Sequence, residues 1–147
     1  MADPPDPSMT EAGMAEASGP FDGGPGSRPV IRIKRVYDEP VAADGTRVLV
    51  DRLWPRGMSH QRAGLDEWLK EIAPTPELRT WWKHDPARMT EFAARYRHEL
   101  DTRPQAREAI ERVLELAGQG RVVTLVYAAR DERVNHARVL AQYLRDA

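Results

Sequence analysis

The stretch Arg121-Val122-Val123-Thr124-Leu125-Val126-Tyr127-Ala128-Ala129-Arg130-Asp131 decides the fold. Its apolar run is interrupted only by Thr124. That pattern suits a strand buried on both faces, as in a parallel sheet covered on either side. It runs straight into a polar turn. A second stretch does the same: Thr46-Arg47-Val48-Leu49-Val50-Asp51-Arg52-Leu53-Trp54-Pro55-Arg56-Gly57. In open α/β sheets, ligands bind beyond the carboxyl ends of the strands. The two polar turns therefore mark a candidate site.

Working outward, Ile31 and Ile33 alternate with Arg32 and Lys34, the pattern of a half-buried strand starting near Val30. The connector Asp38–Gly45 carries Pro40 and an Asp44-Gly45 turn signal. It is short for a parallel crossover. The first two strands can pair antiparallel, lie parallel through a tight connection, or sit apart in the sheet. The second strand is expected over Thr46–Leu53.

Helical patterns follow. Leu65, Trp68, Leu69 and Ile72 can share one helix face. Thr75-Pro76 and Asp85-Pro86 are cap-and-start signals. Met89, Phe92, Ala93, Tyr96 and Leu100 form one stripe, and Ala106, Ala109, Ile110, Val113, Leu114 and Ala117 another. Gly118 is a stop signal. A last helix is expected over about Glu132–Arg145, capped by Asp131. The fold class is α/β: one compact domain, with a small, mainly parallel sheet of three to four strands flanked by about five helices in a Rossmann-like layering.

The chain has 147 residues and a net charge of −1. That charge argues against a generic nucleic-acid binder. Residues 1–29 hold six Pro, five Gly, five acids and one base. Such a segment buries too little apolar surface to offset its ordering entropy and is expected to be a disordered, acidic tail. Residues 30–147 hold 21 bases and 18 acids, a mild excess. Cysteine is absent, which excludes disulfides, thiol catalysis and cysteine-ligated metals. No apolar run reaches the ~20 residues of a membrane span, and no secretory signal pattern is seen, so a cytoplasmic protein is expected.

At the two strand ends, Asp51 is a candidate general base and His136 a candidate proton shuttle. Asp131 can assist them as well as cap the last helix. Arg52, Arg56 and Arg130 offer donor forks for an anion, and Trp54 can stack on a planar ligand or cover the core edge. Pro55 and Gly57 suit the second and fourth positions of a type I turn presenting Arg56. Tyr127 and Asn135 complete the candidate ligand-binding set. His60, His84 and His98 show no metal spacing, and no phosphate loop or dinucleotide fingerprint is present. No cofactor is implied. The expected partner is a small anionic ligand. The alternative is a nucleic-acid- or protein-binding regulatory module using Arg95, Arg97, Arg103 and Arg107.

Three words of this sequence, Val-Asp-Arg-Leu-Trp-Pro-Arg-Gly (50–57), Ala-Pro-Thr-Pro-Glu-Leu-Arg (73–79) and Leu-Val-Tyr-Ala-Ala-Arg-Asp (125–131) followed by Asn135-His136-Ala137, resemble the YeaO-like branch of the domain-of-unknown-function 488 (DUF488) family. The resemblance covers roughly residues 31–145 and implies a small α/β domain with a mainly parallel sheet. Some broader relatives carry a Cys-His pair at the start of the last helix. Asn135 precedes His136 here, so chemistry needing that cysteine is absent.

Overall fold

The computed structural model describes residues 29–118 and 120–147. The tail expected at 1–29 lies outside the described residues except for Pro29. The strands are β1 (Val30–Arg35), β2 (Thr46–Leu49), β3 (Glu67–Trp68) and β4 (Val122–Tyr127). The helices are α1 (His60–Ala63), α2 (Pro76–Trp82), α3 (Met89–Thr102), α4 (Pro104–Ala117) and α5 (His136–Arg145). All strand pairs are parallel, in the order β1-β4-β2-β3.

The apolar run of β4 makes it a central strand. Leu125 pairs with Ile33 on one side and Val48 on the other. Val123, Leu125 and Tyr127 face the large core built with Phe92, Tyr96, Ile110, Val113 and Leu140, while Val126 joins Val36, Leu49 and Met58 on the opposite face. Helices α2–α5 contribute to the first core. The second face is closed by α1 and the connecting loops. Burying each such Leu, Val or Phe contributes roughly 1.5–3 kcal/mol. Thr124, the one polar interruption, faces the smaller core and donates to the Asp44 carbonyl at 2.6 Å.

The first two strands are not neighbours, because β4 lies between them. Their connector crosses the smaller face, where a buried ion network holds it. Arg47, 4% exposed, donates to Asp44 at 2.7 Å, to Ala63 O at 2.7 Å and to Gly64 O at 3.1 Å. Lys34 adds a second cation to Asp44 at 3.1 Å. Burial raises the Asp44 pKa, but the Val41 amide, Lys34 and Arg47 outweigh it and hold the carboxyl below its ordinary value.

Three local expectations are corrected. The segment read as a helix over Leu65–Ile72 is instead the edge strand β3 followed by a 3-10 turn, Lys70–Ile72. Asp66 exchanges two bonds with the Arg47 backbone, both 2.8 Å, and the Leu69 amide donates to Leu49 O at 3.0 Å. The apolar spacing fits both geometries, and pairing with β2 decides between them. Strand β2 ends at Leu49 rather than Leu53, although the Val50 amide still reaches Val126 O at 3.0 Å. The Pro55 turn closes through Met58 N to Pro55 O at 3.4 Å, so Pro55 opens it. Gly57 is then the third residue, with φ 73°, where positive φ favours glycine.

Candidate functional site

Asp51 follows β2 and ties its end to that of β4: Oδ2 accepts from the Ala128 amide at 3.0 Å. His136 opens α5 beside them. Its Nε2 lies 2.9 Å from Val50 O and 3.4 Å from Asp51 Oδ1. A carbonyl oxygen only accepts, so Nε2 carries a proton and, in the neutral ring, Nδ1 is left with the lone pair. Burial lowers the His136 pKa most strongly. Asp51 and Val50 O act to raise it, Arg79 and His84 to lower it, and the net direction is downward. The ring is therefore neutral near pH 7.

The Nε2 proton is directed to Val50 O, and Asp51 Oδ1 has no hydrogen-bond partner among the described residues despite the 3.4 Å approach. Asp51 lines a cleft of about 320 Å³ with Arg52, Arg79, Trp82, His84, Arg130 and His136. Ala73, Pro74, Ala128 and Ala129 supply apolar wall, and Leu53 also contributes. This volume is at the small end of ligand sites. Trp82 is 1% exposed and stacks on Phe92 at 3.7 Å. Its Nε1 is the other buried side-chain polar atom without a partner among the described residues.

His84 stacks on Trp82 at 4.5 Å. Its backbone and that of Lys83 have φ 54° and 52°. Two successive left-handed non-glycine residues are costly and persist where the surroundings over-determine them. Here the Lys83 amide closes α2 on Arg79 O at 2.9 Å and the Asp85 amide reaches Trp82 O at 3.0 Å, which carries His84 back over the cleft.

Of the residues expected at the site, Asp51, Arg52, Arg130 and His136 line the cleft. Arg52 is engaged, donating to Glu71 and Ala73 O at 3.3 Å each and to Pro74 O at 3.4 Å. Arg130 is exposed and its side chain has no hydrogen-bond or ion-pair partner among the described residues; the same holds for the Arg79 side chain.

The other expected residues lie elsewhere. Asp131 does not cap α5. It accepts from the Arg133 and Val134 amides at 2.8 and 2.9 Å, which hold its carboxyl below the ordinary range, Val134 foremost. The α5 cap is Asn135, fully buried, accepting from Arg138 N at 3.0 Å and donating to Asp131 O at 2.9 Å. Both polar atoms of the carboxamide are thereby occupied, and Asn135 does not line the cleft. Tyr127 is buried in the large core, and desolvation raises its pKa. Trp54 covers the smaller core: it stacks on His60 at 4.1 Å, meets Trp68 edge-on at 5.4 Å and donates to Met58 O at 2.6 Å. Arg56 is exposed in the adjoining turn, its carbonyl accepting from Tyr37 at 2.9 Å.

Sequence reasoning missed Arg79 and Trp82 as site residues, and weighed His84 for metal spacing. The available signal was proximity to the 73–79 word, which ends in Arg79. Among the described residues, no group of three or more acids and histidines could hold a metal, and no helix is long and apolar enough to cross a membrane.

Comparison with known proteins adds a family. Residues 30–147 match the family described as "Inactive DUF488-N3 subclade". The chain is 45% identical over 116 residues to the uncharacterized protein Rv3073c of Mycobacterium tuberculosis (strain H37Rv), covering 78% of this chain and 92% of that one. The same values hold for the uncharacterized protein Mb3100c of Mycobacterium bovis. It is 42% identical over 115 residues to the uncharacterized protein YeaO of Escherichia coli K12, covering 78% of this chain and 96% of YeaO. No solved structure matches significantly. With its four-stranded parallel sheet and these relatives, the chain belongs to the DUF488 family, in its YeaO-like branch.

Proposed function

We propose that the cleft at the ends of β2 and β4 binds a small ligand bearing a phosphate or carboxylate, and that it holds this ligand without turning it over. The carrying observation is the pair Arg79 and Arg130. Both residues line the cleft, and neither guanidinium has a partner among the described residues. An unpaired guanidinium offers a fork of donors matched to either anion. The neighbouring His136 is neutral, so it adds no further positive charge.

Binding without turnover is supported by the lining. None of the side chains around the cleft carries a hydroxyl or a thiol. The residue before His136 is Asn135, consumed as a helix cap. The subclade's description as inactive points the same way. The nucleic-acid or protein-binding alternative draws less support. Of the arginines proposed for it, Arg95 pairs with Glu91, Arg103 with Glu71, and Arg107 bonds Tyr143 at 2.8 Å. Cytoplasmic residence is part of this reading and suits a binder of small metabolites.

Titration calorimetry of the full chain with inorganic phosphate and acetate tests the proposal. Binding of either, lost in Arg79→Ala/Arg130→Ala, is expected. Absence of heat with both anions at millimolar concentration would overturn it.

A further inference from the structure

We infer that the ligand of this cleft is a hydroxylated anion, whose hydroxyl is held between Asp51 and Trp82 while its charged end meets Arg79 and Arg130. This deepens the anion-binding reading and rests on it. The observation is distinct, however. The two buried side-chain polar atoms without a hydrogen-bond partner among the described residues, Asp51 Oδ1 and Trp82 Nε1, both belong to residues lining this one cleft. Leaving a buried donor or acceptor unmade costs about 1–3 kcal/mol each, so two in one place call for a common explanation.

Their chemistry is complementary and restrictive. The indole N–H only donates, and a carboxylate oxygen only accepts. A hydroxyl does both: it accepts from Trp82 and donates to Asp51. A bare phosphate or carboxylate satisfies Trp82 but sets its own negative oxygen against Oδ1, which is unfavourable in a partly buried cleft. The cleft is thus bipolar. It offers a carboxylate and an indole from the strand end and helix core, and exposed guanidiniums on Arg79 and Arg130. A small ligand that carries both an anion and a hydroxyl matches both parts, and about 320 Å³ suits a molecule of that size.

Neither atom can be relieved from within. Asp51 Oδ2 is fixed on the Ala128 amide at 3.0 Å, which sets the carboxyl orientation. The Trp82 ring is held by Phe92 on one side and His84 on the other, with ring centroids 3.7 and 4.5 Å away.

The experiment is calorimetry on the full chain with paired probes: glycerol 3-phosphate against propyl phosphate, and glycerate against propionate. The hydroxylated member of at least one pair is expected to bind about tenfold tighter or more than its deoxygenated partner. Comparing the pairs tells a phosphate ligand from a carboxylate ligand. Trp82→Phe and Asp51→Asn should each bring the ratio towards one while propyl phosphate or propionate still binds. If Trp82→Phe does not fold, the wild-type ratio and Asp51→Asn decide. Equal binding within both pairs would overturn the hydroxyl assignment and leave anion binding standing. No binding by any of the four probes, nor by inorganic phosphate and acetate, would overturn both.

Discussion

Asp51 Oδ1 and His136 Nε2 lie 3.4 Å apart, yet the histidine proton is directed to Val50 O at 2.9 Å. The ring is thereby anchored to the end of β2 with Nδ1 unprotonated, and one oxygen of Asp51 has no hydrogen-bond partner among the described residues.

This arrangement makes stability depend on pH in a defined window. His136 titrates below its ordinary 6.5 in the folded chain, through burial first and with Arg79 and His84 adding, against Asp51 and Val50 O. The unfolded chain therefore binds the proton more readily. Stability is full above about pH 6.5 and declines as pH falls towards the folded value. Urea midpoints measured from pH 7.5 to 5.5 should drop, and His136→Gln, which can still donate to Val50 O, should flatten the slope. An unchanged slope in that variant would assign the dependence elsewhere.

The arginines should separate cleanly into two kinds. Arg52 holds Glu71 and two carbonyls, so Arg52→Ala is expected to cost about 1–3 kcal/mol of stability. Arg79→Ala and Arg130→Ala remove exposed, unpaired groups and should stay within about 0.5 kcal/mol of wild type. Thermal melts with and without phosphate check both halves: the stabilisation by phosphate should vanish in Arg79→Ala and Arg130→Ala.

Under the smaller face, Arg47→Met would leave the Asp44 carboxylate with one cation fewer and two carbonyls unmet. Removing one member of a buried pair typically costs about 3–5 kcal/mol. Asp44 titrates below its ordinary 3.8, so its contribution is present above about pH 3.8 and is lost as pH falls through the folded value. Acid unfolding of Asp44→Asn, followed by far-UV circular dichroism, should begin from a lower plateau and lose the component below pH 4.

Two glycines give a paired test of backbone geometry. Gly45 sits at φ 64° and ψ −132°, and a Cβ there would collide with Val122 O. Gly57 has φ 73° with open space around it. Gly57→Ala should cost about 1–2 kcal/mol, from the left-handed backbone alone. Gly45→Ala should cost more, since the start of β4 must also move. Equal denaturation midpoints would refute the steric argument.

Asn135→Ala removes the α5 cap and one bond to Asp131 O, and should destabilise by about 1–2 kcal/mol. Asn135→Asp, which keeps the acceptor for the Arg138 amide, should recover part of that loss. Phosphate affinity should be unaltered in both, because Asn135 does not line the cleft. A large affinity loss in Asn135→Asp at preserved stability would place it in the binding machinery.

Wherever short-range physics decides, the sequence alone determined the outcome. The run of β4, apolar but for Thr124, specified a strand covered on both faces, and the stripes of α3 and α4 specified helices packing one side of it. The location of Asp51 and His136 followed from strand ends and a helix start. Tertiary structure decided the rest. The insertion of β4 between β1 and β2 depends on pairing residues more than seventy positions apart, which no local pattern encodes. Trp68 and Leu69 fit a helix or a strand until β2 offered its edge. Asp131 and Asn135 are both good caps, and the register of α5 chose Asn135. Trp54 met the smaller core rather than a ligand because the turn after β2 lays it on His60 and Trp68. Arg79, Trp82 and His84 reached the cleft only because α2 ends beside the strand tips and turns back through two left-handed residues. Local propensity is written in neighbours along the chain, whereas a cleft is made by neighbours in space.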